Sequence, residues 1–180
     1  LTEMSDEDKF ALLEQVDNYA RAQDSRVRRV TVALIGSMSK VLIVRPDGFM
    51  CEDIRPLVQL RISVQIEENG RTEAGSSALG GRTTYADIIA DVHWKHHVGV
   101  ALSAANNMLN AVPCPSGEMP VVLGPGWAGV LLHEAIGHPL EGDANAEKTS
   151  NFHNKMGQMV AAKGVTIVDS GMDQNARGAL

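Results

Sequence analysis

Apolar and polar positions alternate along this chain with two distinct periods. From Ser5 to about Gln23 the apolar residues Phe10, Leu13, Val16 and Ala20 recur at the spacing of a helix, behind a Ser5 cap and an acidic first turn of Asp6, Glu7 and Asp8. After a basic segment, Arg26 to Arg29, which reads as a solvated edge, the period drops to two. Val30, Val32 and Leu34 alternate with small or polar residues, Val41 to Val44 form an apolar run, and Asp47-Gly48 is a hairpin-type pair. The clearest stretch is Val58-Gln59-Leu60-Arg61-Ile62-Ser63-Val64-Gln65-Ile66, aliphatic at every even position and polar at every odd one. One face of that strand belongs in a core and the other in water. Asn69-Gly70 then marks a tight turn into Arg71-Thr72-Glu73-Ala74, and an antiparallel meander of three to five strands follows.

Gly75 to Gly81 is rich in glycine and serine and lacks the Gly-Lys-[Ser/Thr] ending of a phosphate loop, so it reads as a flexible loop or irregular strand. A long helix is expected from Thr83 onward, with Tyr85, Ile88, Ile89 and Val92 on one face and a weaker continuation to Leu109. It carries Trp94, Lys95 and three histidines, which read as an exposed or interfacial surface. His93 and His97, four residues apart, could chelate an ion on a regular helix but have no carboxylate between them.

Beyond a linker, Ala111 to Gly117, the pattern predicts a short buried strand at Met119 to Leu123, a turn at Gly124-Pro125-Gly126, and an apolar helix from Trp127 to Leu132. Asn145 to Asn154 is polar and loop-like, with His153 solvent-exposed, and Val165 to Val168 is a further strand. The fold class is therefore α+β: an antiparallel β-meander with flanking helices over residues 1–112, followed over 113–180 by the start of a second domain.

Composition narrows the function. Sixteen Lys and Arg against 22 Asp and Glu leave a net charge of −6, which argues against a phosphate-binding footprint, so no nucleic-acid partner is expected. No apolar run reaches the roughly 18 residues that span a bilayer, and no charged-then-apolar leader opens the chain. Two cysteines, Cys51 and Cys114, are too few for a disulfide scaffold and suggest a reducing compartment, with cytoplasm expected.

The candidate chemistry lies in Val130-Leu131-Leu132-His133-Glu134-Ala135-Ile136-Gly137-His138, where two imidazoles bracket a glutamate. In a His-Glu-x-x-His helix the histidines sit at i and i+4 and share a zinc ion while the glutamate works on water. Here the spacing is i, i+5, and five residues turn the second imidazole roughly 140° away from the first on a regular helix. A shared metal needs a distortion. Either a π-bulge widens the turn, or the helix ends at Gly137 and His138 bends back, an option that Pro139 favours. Glu141 and Asp143 follow closely and are candidates either to orient the imidazoles or to cap a turn. Cys114, between two prolines, is a weaker candidate for a third ligand. Histidine and carboxylate also suit iron, nickel or cobalt.

These residues resemble a known family. Gly124-Pro125-Gly126-Trp127, Gly129 through Gly137-His138 and Leu140-Glu141-Gly142-Asp143, with upstream Asp53 to Val58, Asn69-Gly70-Arg71, Gly75-Ser76-Ser77 and Gly80-Gly81-Arg82, are similar to the TldD half of the TldD/TldE (PmbA) metalloproteases. The resemblance implies a zinc peptidase in which His133 and His138 bind Zn2+ and Glu134 activates water. It also implies a third ligand from a cysteine beyond residue 180, peptide substrates, a related motif-less subunit of the TldE/PmbA type as partner, and a sheet surface around Gly75 that adjoins the substrate channel. On this reading the chain is an internal piece of a longer protein. The alternative is a non-catalytic, peptide-binding scaffold subunit of the same family.

Overall fold

The structure, a computed structural model, describes residues 4–126, 128–173 and 176. It divides into two compact units, one made of the described residues of Leu1–Pro113 and Gly171–Leu180, the other of Cys114–Ser170.

The first unit opens with α1 (Asp6–Gln23), capped as the sequence requires: the Ser5 hydroxyl accepts the Asp8 amide at 3.1 Å. Its buried face is Leu12, Val16 and Ala20. Phe10, expected in that stripe, is 67% exposed, because two residues place it about 200° around the helix from Leu12. Three antiparallel strands follow, β1 (Val27–Val44), β2 (Met50–Glu68) and β3 (Arg71–Gly81), in the order β1-β2-β3. Asn69 and Gly70, with φ of 52° and 78°, form the tight turn between β2 and β3. Val58, Leu60, Ile62, Val64 and Ile66 are all buried, so the alternation in β2 is the inner face of the sheet.

Four further expectations for this unit need correction. Gly75 to Gly81 is a regular strand, paired without interruption from Gly75↔Val64 to Gly81↔Val58. Its small residues serve the close approach of a helix, since a Cβ on Gly75 would lie 2.1 Å from the Ala101 carbonyl oxygen and 2.4 Å from the Ala105 nitrogen. The helix expected from Thr83 does not start there. Asp87 takes the Thr84 amide at 3.1 Å and closes a single tight turn, Tyr85–Asp87. Ile88 then drops into the core, Ala90 is extended, and α2 runs Asp91–Leu109. Nor is Trp94 an exposed helix surface: it is 2% exposed, with its ring edge-on to Tyr19 at 5.3 Å, whereas Val92 is 71% exposed. The core face of α2 is Trp94, Val98, Ala101, Ala105 and Leu109. Finally, Arg26 is more than a solvated edge residue, because its guanidinium reaches Asp24 at 2.8 Å, Asn106 at 3.1 Å and Glu68 at 3.2 Å.

The second unit holds α3 (Ala128–Leu132), a π turn (His133–Gly137), a 3-10 turn (His138–Leu140) and α4 (Gly142–Ala146). Trp127, placed by the sequence at the start of the helix, lies outside the described residues. The strands expected at Met119 to Leu123 and Val165 to Val168 do not form: neither joins a ladder, and Val121, Val122, Val165 and Val168 are exposed. An apolar run supplies one side of a strand pair, and no described segment supplies the other. Among the described residues of this unit only Ser150 is buried. No described helix is long and apolar enough to cross a membrane.

Candidate metal centre

The i, i+5 spacing of the two histidines is accommodated by a π turn. The His138 amide donates to the His133 carbonyl, five residues back, where a regular helix would use the fourth. The wider loop brings His138 round to the same side as His133, with ring centroids 4.4 Å apart and planes at 67°. Of the two routes considered from sequence, the helix ending at Gly137 is not the one taken: Gly137 and His138 keep right-handed backbone, at φ −61°, ψ −59° and φ −57°, ψ −44°. Pro139 does not prevent this. Its ring and missing N–H forbid a regular ladder through this point, yet suit the first turn of a new helical segment. The wide turn therefore gives way to a 3-10 turn with proline at its start.

Gly137 contributes size rather than conformational freedom. A Cβ there would stand 3.2 Å from His133 Nδ1, so the glycine leaves room for the His133 ring. Glu134 lies beside both imidazoles, its Oε2 at 3.5 Å from His138 Nε2 and its Oε1 at 4.0 Å from His133 Nε2. The three residues are exposed, and one ligand atom from each lies within 4.8 Å of the others. Among the described residues this is the only grouping of three or more His, Cys, Asp or Glu side chains so gathered.

Glu141 and Asp143 behave differently. Glu141 Oε1 lies 2.7 Å from His138 Nδ1, whereas Asp143, in the first turn of α4, accepts through Oδ1 the backbone amide of its neighbour Ala144 at 2.7 Å. Two residues that the sequence did not single out support this loop. Asn145 Nδ2 donates to the Pro139 carbonyl at 2.9 Å and to the Glu141 carbonyl at 2.8 Å, and the buried Ser150 hydroxyl donates to the same Pro139 carbonyl. The i, i+4 spacing from Glu141 to Asn145 was a usable signal for the first. Nothing local announces Ser150, whose bond spans eleven positions.

The other candidates lie apart from this grouping. His93 and His97 do not join a set of three ligands; His97 Nδ1 is 2.7 Å from Ser77 Oγ, and its ring stands edge-on to His96. Cys114 and Cys51 are free and exposed, and Cys114, the weaker candidate for a third ligand, is not part of the grouping. His153, expected in solvent, is partly buried and donates through Nδ1 to the Ser150 carbonyl at 2.8 Å.

The donor set fits a divalent metal of the borderline kind. Two imidazoles with a carboxylate alongside are the nitrogen and oxygen ligands that zinc accepts, and exposed side chains can rotate to close a gap of this size.

Comparison with known proteins agrees with this chemistry. The profile of the PmbA/TldA metallopeptidase central domain matches residues 1–112, and that of the PmbA/TldA metallopeptidase C-terminal domain matches residues 116–180. The chain belongs to the PmbA/TldD metallopeptidase family. It is 47% identical to a metalloprotease TldD homolog of Haemophilus influenzae, covering all of this chain and 38% of that protein. A metalloprotease of Methanocaldococcus jannaschii is 28% identical across 98% of this chain and, again, 38% of its own length. In fold, a Thermotoga maritima protein described as a candidate modulator of a DNA gyrase superposes with a TM-score of 0.79 at 19% identity, over 99% of this chain and 40% of that one. The chain thus spans well under half the length of the relatives it matches.

Proposed function

We propose that the protein containing this chain is a zinc-dependent peptidase that hydrolyses peptide bonds in unfolded or small peptide substrates. The observation that carries this reading is the π turn, which gathers His133, Glu134 and His138 on one side despite a spacing that a regular helix would split. His133 and His138 would hold the metal, and a cysteine beyond residue 180 would complete the ligand set. Bound zinc supplies polarisation of the scissile carbonyl and a lowered pKa for water. Glu134, adjacent in sequence to one ligand and 3.5 Å from the Nε2 of the other, accepts the proton of the attacking water and returns it to the leaving amine. A related, motif-less subunit of the TldE/PmbA type is the proposed partner, and the cytoplasm the proposed compartment.

The central test is Glu134→Gln in the full-length protein. The amide cannot take the proton, so peptide cleavage falls by about 10²- to 10⁴-fold while zinc content and fold persist. Turnover above a few percent of the original removes Glu134 from the role of base. His133→Ala and His138→Ala lose the zinc as well. Purification from the native cell tests the partner: a related second chain should accompany the protein, and an active homo-oligomer without one overturns that part.

A further inference from the structure

We propose that Glu141 is a positioning residue for His138, held in place by a brace from Asn145 and Ser150; this rests on the reading of His133 and His138 as metal ligands. An imidazole offers a metal the nitrogen that carries no proton, and which nitrogen that is depends on what the other one touches. A carboxylate only accepts hydrogen bonds when ionised, so Glu141 Oε1 at 2.7 Å requires the proton to sit on Nδ1 of His138. Nε2 then presents its lone pair, on the side where Glu134 stands. The contact also fixes the ring's rotation, which an exposed histidine would otherwise lose to solvent.

Glu141 itself needs support, because its side chain is half exposed and begins at the end of a short 3-10 turn. That support is polar. The Pro139 carbonyl, two residues before Glu141, accepts both Asn145 Nδ2 and Ser150 Oγ, and Asn145 Nδ2 also holds the Glu141 carbonyl. The Ser150 oxygen accepts the Phe152 amide at 2.9 Å in turn, tying the loop after α4 into the same network. Ser150 is the buried residue among those described in this unit, so the sequestered polar group sits where it fixes the backbone that carries Glu141.

The experiment uses full-length protein and zinc as the probe, with affinity read by chelator competition and geometry by the visible spectrum of the cobalt-substituted form. Glu141→Ala weakens zinc binding by about 10- to 100-fold and alters the cobalt bands, as loss of an imidazole's outer partner does. Glu141→Gln, whose carbonyl oxygen can still accept from Nδ1, stays within a few-fold of wild type. Zinc affinity of Glu141→Ala within about twofold of wild type overturns the proposal, and so does a Gln variant as weak as the Ala variant. The underlying reading fails separately. If His133→Ala and His138→Ala bind zinc as wild type does, these are not ligands at all; if they lose it while Glu141→Ala keeps it, only the positioning role is wrong.

Discussion

The two units of this chain are held together by different physics. In the first, fifteen buried hydrophobic residues among those described, from α1, β1, β2, the 85–90 segment and α2, form one cluster, and Leu60, Ile62, Ile66, Val16, Val64 and Val98 are sealed from solvent. In the second, the described residues bury a single serine, and order comes from a π turn, a proline-led 3-10 turn and side-chain hydrogen bonds to backbone carbonyls. Hydrophobic burial is non-directional and sets overall stability, whereas hydrogen bonds of fixed length and angle set where a particular nitrogen points. The candidate site lies in the unit governed by directional bonds. Stability and metal geometry should therefore be separable by mutation.

The largest effect expected from breaking this contrast is in the first unit. Ile62→Ala removes a fully buried side chain and should cost about 2–5 kcal/mol by denaturant unfolding, while the folded fraction keeps its zinc affinity. Equal loss of both would show that the units are not separable. Gly75→Ala comes next. Its methyl must displace helix backbone now 2.1 Å away, and about 1–3 kcal/mol of stability should be lost, again without effect on metal.

In the second unit the signs reverse. Gly137→Ala should leave the unfolding midpoint nearly unchanged, because the backbone there is already helical. The new methyl presses on His133 at 3.2 Å, so zinc affinity should fall several-fold, measurable by the same competition assay. Unchanged affinity would mean that the ring accommodates the methyl and that Gly137 has no part in placing it.

The smallest effect concerns pH. Burial, with the like charges of His96 and His93, pushes the His97 imidazole below its ordinary value. The unfolded chain then takes up a proton near pH 6.5 that the folded chain resists, so the stability tied to neutral His97 is present above that pH and is lost as pH falls toward the folded value. Wild type should accordingly lose more stability between pH 7.5 and 5.5 than His97→Gln does. A variant with the same pH dependence as wild type would remove His97 as the cause.

What could be read in the sequence follows the same division. The period of two in β2, the Ser5 cap and the Asn69-Gly70 turn are local signals of elements that bury a face, and each led to the right element. Phe10 and Trp94 were misjudged because hydrophobicity tells which side chains seek burial, but their angular position relative to Leu12 and Val98 decides which succeed. The segments at 119–123 and 165–168 failed differently: their apolar runs describe strands, but pairing is a property of two segments. At the site, the i, i+5 spacing demanded a distortion, and the spacing alone did not choose between the two available. Pro139 pointed to the helix end, yet it is accommodated in the first turn of a new segment, and Ser150 could not be found by any local rule.

The π turn also has a consequence in the currency of insertions and deletions. A regular helix with one residue added contains such a bulge, and here Ala135 or Ile136 is the surplus residue. Deleting a single codon would restore the i, i+4 interval between the two imidazoles, with the glutamate still directly after the first. Because the wide turn already absorbs the surplus residue locally, the later positions, Glu141 and its brace among them, would keep nearly their present phase against the helix before it. The extra residue thus leaves two frames in place, one counted forward from the helix that delivers the first imidazole and one counted backward from the loop that steers the second.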